Sequence, residues 1–462
     1  MPFRLPRLPG LLATLTLLAG VAASGPISSV MSADPAGLTA PSLRTVAHQS
    51  EPHIVSREWL TERTMRLTVA TSSFGTGTAP VEVTLPRGYA EHPDRRWPVT
   101  YYLAGTNGDE TWFRTAYRGE ELTEDFPAIV VSPEGNAGYW SDWFNQGSFG
   151  PPRYETFVTR ELIPLIDQTF RTLPRRSQRA VMGESMGGYG ALMIGARHPD
   201  RFAAAVSIMG AVDTNFPTGA LAHSISPLID LAPPDSVYGP RATQEVRWRG
   251  HNPLDLAPNL RGVAVQIRTG NGVLDPAREQ DPVTPAFCAV EAGIIQPEST
   301  NMHRRMTQLG IEHTWRAYDW GCHSPAAAQQ QISDSLPGIL RAFENPTPRS
   351  SFDYRSIQPR FEIGGWRFGA DPLRALEFLD LHGVGRSGLA LTGSGSTTVR
   401  TPAYFLPGST VIVEVGDTRR AVTADPQGRL QFTVRLGTPH HAQQFTPGAD
   451  QPMVTKRVVF HP

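Results

Sequence analysis

Short apolar, β-branched runs recur along the first three quarters of the chain, with helical patterns between them. Val99 to Leu103 (VTYYL) and Ala128 to Val131 (AIVV) are apolar almost throughout. Such runs predict strands buried on both faces. Glu155 to Phe170 places Phe157, Leu162, Ile163 and Ile166 near helical spacing and predicts an amphipathic helix. Arg179 to Met182, Ala203 to Ile208, Val263 to Ile267 and Thr314 to Tyr318 continue the series of short strands. Strands alternating with helices predict an α/β unit whose mostly parallel central sheet is covered on both faces.

The pattern changes near residue 345. Asn345-Pro346-Thr347-Pro348, followed by Arg349-Ser350-Ser351, reads as a linker over residues 346–358. Beyond it come shorter strand-like runs: Leu389 to Thr392, Thr398 to Thr401, Thr410 to Val415 and Leu430 to Leu436. Turn signals such as Asp425-Pro426-Gln427-Gly428 separate them. Residues 359–462 are therefore expected to form a small C-terminal all-β, sandwich-like domain. The linker predicts that this domain and the α/β unit, residues 46–345, are separable. Trp366, Phe361, Phe368, Tyr404 and Phe405 are either its core or an aromatic platform for a glycan.

The N-terminus reads as a signal peptide over residues 1–24. Arg4 and Arg7 precede an apolar stretch, Leu11 to Ala23, that is too short to span a bilayer. Small residues follow it at Ala22, Ala23, Ser24 and Gly25. Residues 25–45 are rich in Ala, Pro and Ser and read as a flexible lead-in. The expected protein is secreted or associated with the cell envelope, without a transmembrane segment once the signal is removed. Its formal net charge of −1 leaves no excess of basic residues for nucleic acid. An exported chain meets oxidising conditions, so its two cysteines, Cys288 and Cys322, form a disulfide or remain as buried thiols.

Chemistry enters at Gly183-Glu184-Ser185-Met186-Gly187, a G-x-S-x-G sequence between a strand and a helix-forming run that stops at His198-Pro199. That spacing suits a nucleophile elbow. The serine sits on a sharp turn above the sheet, and glycines on either side allow the close backbone approach. The motif in this context predicts the α/β-hydrolase fold, with Ser185 as nucleophile. A serine hydroxyl needs a general base, and in this fold the chain order is Ser, acid, His. Candidate histidines are His198, His223, His251, His303, His313 and His323. Only His323 follows the last predicted strand and precedes a helix, so it is the expected base. Two carboxylates compete as the acid: Asp275, in the loop after Val263 to Ile267, and Glu291, in a predicted helix. Cys288 lies one helical turn before Glu291 and Cys322 adjoins His323, so a disulfide would pin acid against base. The backbone N–H groups of Met186 and Thr106 are the expected oxyanion donors. His440 and His441 are adjacent, a poor spacing for two ligands on one metal, and no metal or other cofactor is expected.

Together these residues resemble the antigen 85 / mycolyltransferase group of the esterase-D-like α/β-hydrolases. The likeness covers residues 50–345. It rests on Leu103 to Asn107, Ser141-Asp142-Trp143, Tyr154-Glu155-Thr156-Phe157, the elbow at Ser185, His198-Pro199 with Phe202, Tyr238-Gly239-Pro240 with Asn252-Pro253, Gly270-Asn271-Gly272, and Gly321 to Ser324. In that group the acid is a helical Glu shortly before a Gly-x-His-Ser segment, which implies Glu291 here. The resemblance also implies substrate contacts at Asn107, Trp143 and Ser324. The sequence departs from the group where an Asp and an Arg hold sugar: those positions are Ala104 and Asn107. Pro325 stands where the group often has Trp.

The function expected from the resemblance is transfer of a long acyl chain, through an acyl-enzyme on Ser185, to water or to a sugar hydroxyl of trehalose or a cell-wall glycan. One alternative is a secreted carboxylesterase acting on short acyl or aryl esters. Another is a cell-wall-binding protein whose hydrolase domain is inactive, with the C-terminal domain contacting wall glycan.

Overall fold

The computed structural model describes residues 51–145, 152–280, 285–348, 350–449 and 452–461. The signal and lead-in expected over residues 1–45 lie outside them. Among the described residues, nine strands form one sheet. They are β1 (His53–Trp59), β2 (Thr64–Ala70), β3 (Thr78–Thr84), β4 (Val99–Leu103), β5 (Ile129–Pro133), β6 (Arg179–Glu184), β7 (Ala204–Ile208), β8 (Ala264–Thr269) and β9 (His313–Ala317). Their order is β1-β2-β3-β5-β4-β6-β7-β8-β9. The run from β5 to β9 is parallel throughout, and β1, β2 and β3 join it antiparallel. This is an α/β-hydrolase fold with a mostly parallel central sheet.

The six apolar runs coincide with β4 to β9, because β4 to β8 are buried on both faces and so read as continuous apolar stretches. Apolar side chains fill both sides of the sheet, in two clusters around Tyr101 and Tyr102. The helix expected over residues 155–170 is present from Tyr154 to Thr169, with a π-helical stretch, Phe157–Leu162, just before Pro164. Proline lacks the N–H that would continue the regular ladder, which accounts for the local widening.

The C-terminal region is a separate, all-antiparallel β unit of two sheets. Its six-stranded sheet opens with β10 (Ser351–Ser356), which pairs with Leu379–Gly385. The four-stranded sheet is built from Arg360–Ile363, Trp366–Ala370, Ser396–Arg400 and Gln431–Arg435. The Asp425 turn forms as expected, with Gly428 N–H donating to the Asp425 carbonyl at 2.8 Å. Trp366 is fully buried and Phe368 nearly so, while Phe361, Tyr404 and Phe405 pack against the same cluster. These aromatics are core, not a surface platform.

The expected linker over residues 346–358 is corrected by β10, which lies inside it. Nor are the two units independent. The Tyr354 hydroxyl donates to the Arg197 carbonyl at 2.7 Å. Asn259 bridges the units, donating at 3.0 Å to the carbonyls of both Ala196 and Arg355 and accepting from Arg355 N–H at 2.8 Å. Ile357 and Phe378 belong to the hydrolase core itself, with Ile357 seated against Gly250. The polar, proline-rich composition hid a strand with only two apolar side chains, Phe352 and Tyr354, which pack into the C-terminal unit's own core. Ile357→Ala should therefore cost about 2–5 kcal/mol of stability, as for other buried Ile truncations. Chemical denaturation of the full chain checks this, and a loss within about 0.5 kcal/mol, ordinary for a surface site, would mean that the units are not coupled there.

Candidate active site

Strand β6 ends at Glu184, and the elbow helix, Met186–Arg197, begins two residues later. Ser185 makes the turn at φ 55°, ψ −121°, outside the regions favoured by non-glycine residues. The turn is compressed. A Cβ on Gly187 would lie 1.8 Å from the Leu103 carbonyl oxygen, and one on Gly183 would lie 2.4 Å from the Gly187 carbonyl oxygen. Hydrogen bonds hold the strained residue, with Ser185 N–H donating to Ile208 O at 3.0 Å and Tyr189 N–H donating to Ser185 O at 3.1 Å.

His323 lies in the loop that follows β9. Its Nε2 is 2.9 Å from Ser185 Oγ and its Nδ1 is 2.8 Å from Glu291 Oε2. Glu291 is fully buried where the helix Pro285–Val290 passes into a π-helical turn. Its other oxygen accepts from Thr269 Oγ1 at 2.8 Å and from Gly270 N–H at 2.7 Å. A disulfide joins Cys288 to Cys322, tying the helix before Glu291 to the loop that carries His323. Burial of the His323 imidazole opposes its protonation. The hydrogen bond and charge of Glu291, with the charge of Glu184, outweigh that effect and raise its pKa above the ordinary histidine value.

Asp275 is not part of this row. Its carboxylate accepts from Ala277 N–H at 3.0 Å and pairs with Arg278 at 3.3 Å, closing a local turn. The other histidines are committed elsewhere. His198 meets Glu155 at 2.7 Å, and His303 meets His313 at 2.8 Å. His223 and His251 are buried, which drives each down to about 3.

The loop after β4 runs Ala104-Gly105-Thr106-Asn107-Gly108. Gly105 N–H donates to Glu184 Oε1 at 2.6 Å, Asn107 N–H to Asn136 O at 2.6 Å, and Gly108 N–H to Gly105 O at 2.9 Å. Among the described residues, no group of the chain takes the N–H of Thr106 or of Met186. These are the two amides expected to receive an oxyanion. Asn107 has φ 65° and shares its backbone bond with Asn136, which lines a neighbouring cavity of ≈ 320 Å³. Trp143 also lines that cavity, its indole N–H donating to Gly138 O at 3.1 Å. Ser324, expected to touch substrate, is buried and engaged within the chain. Its hydroxyl donates to Glu279 and accepts from Ala327 N–H at 3.2 Å, capping the helix Pro325–Glu344.

Two supporting residues escaped the sequence reading. Glu279 is buried and accepts from Cys322 N–H at 3.1 Å as well as from Ser324, so it holds both neighbours of His323. Glu184 is buried beneath the oxyanion loop. Its position inside the elbow motif was the one available signal. Among the described residues, no group of three or more His, Cys, Asp or Glu is arranged to hold a metal ion.

A family model named Esterase matches residues 73–339, more than half of the chain. The chain belongs to the Esterase family. Within the similar proteins, "Esterase Rv1288" of Mycobacterium tuberculosis is 30% identical over 237 residues, covering 50% of each chain. "MPT51/MPB51 antigen" of M. tuberculosis is 32% identical over 157 residues, or 32% of this chain and 49% of that one. "Diacylglycerol acyltransferase/mycolyltransferase Ag85A" of Mycobacterium gordonae is 30% identical over 170 residues, or 34% and 47%. The matched segments thus span half or just under half of each relative's length. The crystal structure of M. tuberculosis MPT51 (FbpC1) superposes with a TM-score of 0.50 at 22% identity, over 60% of this chain and 97% of that one, a likeness of fold. This esterase-family chain therefore combines the fold of its relatives with the Ser185–His323–Glu291 row.

The row predicts a ranking. Glu291→Gln should lower kcat by roughly 10²- to 10⁴-fold, as loss of the acid's charge does in comparable triads, while Asp275→Asn stays near wild type. The reverse ranking in steady-state kinetics would move the acid to Asp275. A base must be neutral to act, and His323 is raised, so kcat/KM should climb with pH to a half-maximum above 6.5. Glu291→Gln removes the charge that helps to raise His323 and should move that limb to lower pH.

Proposed function

We propose that the chain is a serine-dependent acyl-ester hydrolase or acyltransferase. The observation that carries this reading is the continuous hydrogen-bonded row from Ser185 Oγ through His323 to buried Glu291, beside two unengaged amides. Ser185 Oγ attacks the ester carbonyl as His323 Nε2 takes its proton. The carbonyl oxygen becomes an oxyanion received by Thr106 and Met186 N–H. His323 then protonates the departing alkoxide, leaving an acyl-Ser185 ester and a free alcohol. Glu291 stabilises the imidazolium and holds Nδ1–H in place. In the second half, His323 takes a proton from the acceptor hydroxyl. The acceptor oxygen attacks the acyl group, and the proton returns to Ser185 Oγ. Water as acceptor gives hydrolysis and a sugar hydroxyl gives transfer.

The finer reading is a long acyl donor with trehalose or wall glycan as acceptor. Its support is the relative named diacylglycerol acyltransferase/mycolyltransferase, 30% identical over 34% of this chain. Against it stand Ala104 and Asn107, which offer no charged pair for a sugar. A relative matched over 237 residues is named an esterase, which favours water. Export is supported by Arg4, Arg7 and the apolar run Leu11 to Ala23, and by the Cys288–Cys322 disulfide. Among the described residues, no helix is long and apolar enough to cross a membrane. An inactive, wall-binding protein would have no need of the intact row, and the aromatics offered for glycan are in the core.

The test offers the purified full chain a long-chain acyl ester, with and without excess trehalose, beside a fluorophosphonate probe. Labelling of Ser185 and release of free acid are expected, and acyl-trehalose would establish the transferase. Ser185→Ala should abolish turnover. Retention of roughly a tenth of the wild-type rate or more would remove Ser185 as nucleophile.

A further inference from the structure

The residue before the nucleophile, Glu184, has 3% exposure. A buried carboxyl is costly unless donors compensate it, so the identity of its donors is informative. One is the Gly105 N–H, at 2.6 Å from Oε1. The Tyr117 hydroxyl also acts on it, favouring the charged form. The approach to Gly105 is so close that a Cβ there would lie 2.4 Å from Oε1 and would push the carboxyl aside. Gly105 immediately precedes Thr106. Of the four amides from Gly105 to Gly108, those of Asn107 and Gly108 are tied to backbone carbonyls and that of Thr106 is unengaged. The Gly105 amide alone is held by a side chain.

We propose that Glu184 is a positioning residue for ester cleavage, which through Gly105 fixes the direction in which Thr106 N–H meets the acyl oxygen. This rests on the serine-esterase reading above. The position links the two halves of the oxyanion site. Glu184 precedes Ser185 and Met186 in the chain, and its side chain holds the loop that supplies the second donor. The ionisable groups facing its carboxyl are His323, Tyr117 and Tyr102. Burial raises the carboxyl's pKa, while the charge of His323 and the bonds from Gly105 and Tyr117 oppose that rise. In return the carboxylate adds to the influence of Glu291 on His323.

The experiment compares wild type, Glu184→Gln and Glu184→Leu in the full chain. The readouts are kcat and KM on p-nitrophenyl butyrate across pH, and the rate of labelling by a fluorophosphonate. Leucine removes the acceptor, so kcat and the labelling rate should fall roughly 10- to 100-fold, with KM within about 3-fold. Glutamine keeps a carbonyl acceptor and should recover kcat to within about 5-fold of wild type. It lacks the charge, so the acid limb of kcat/KM should move to lower pH. A folded leucine variant with wild-type kcat and labelling rate overturns the inference. So does a glutamine variant as impaired as the leucine variant. If the leucine variant fails to fold, the glutamine limb decides, and an unmoved limb overturns the inference. A wild type that does not react with the probe overturns the serine-esterase reading itself, whatever Glu184 does.

Discussion

The elbow helix meets the end of β4 at a distance that only glycine permits, with the α-carbon of Gly187 set against the Leu103 carbonyl. That approach makes the turn after β6 so tight that Ser185 is forced to a positive φ of 55°. The strain, on the order of 1–3 kcal/mol for such a conformation, persists because the neighbouring strands over-determine the residue. The Ser185 amide is bound by the end of β7, and the residues around it belong to fully buried β6 and to a helix whose twelve residues are all buried. The same contact lays the loop after β4 beside the turn that carries Ser185.

Glu291 and His323 are fixed by a different kind of constraint. They come from segments that the sheet itself does not hold, so covalent and charge-assisted bonds do the work. The disulfide spans them, Glu279 grips both neighbours of His323, and Thr269 with Gly270 fixes the free oxygen of Glu291. Three buried carboxyls thus surround one imidazole and its loop. Each has hydrogen-bond donors of its own, the condition under which buried charge is tolerated.

The parallel half of the sheet was legible because its strands are buried on both faces and read as apolar runs. β1 was not, since nearly every residue in it is exposed and no burial pattern marks it. β10 was hidden by polar composition, because its pairing is made by backbone and its contacts with the elbow helix run through one tyrosine hydroxyl and one asparagine bridge. Ser185 and His323 were legible from a motif and from chain order. The choice between Glu291 and Asp275 was not decided by periodicity, since both lie after β8; cysteine spacing pointed to the member that meets His323. The cap made by Ser324 was not foreseen, because a hydroxyl before a helix carries the same signal whether it caps the helix or meets a ligand. Glu279 had no local signal, for its partners are brought together only by the fold.

The Cys288–Cys322 bond also bears on when the site is complete. A newly made chain holds both sulfurs as thiols, and the helix before Glu291 and the loop that carries His323 are then joined by noncovalent contacts alone. Closing a loop of 34 residues stabilises a fold by about 3–4 kcal/mol. Here that gain falls on the spacing of Glu291 and His323. Formation of the bond is in this sense a maturation step, after which the hydrogen-bonded row acquires its lasting geometry.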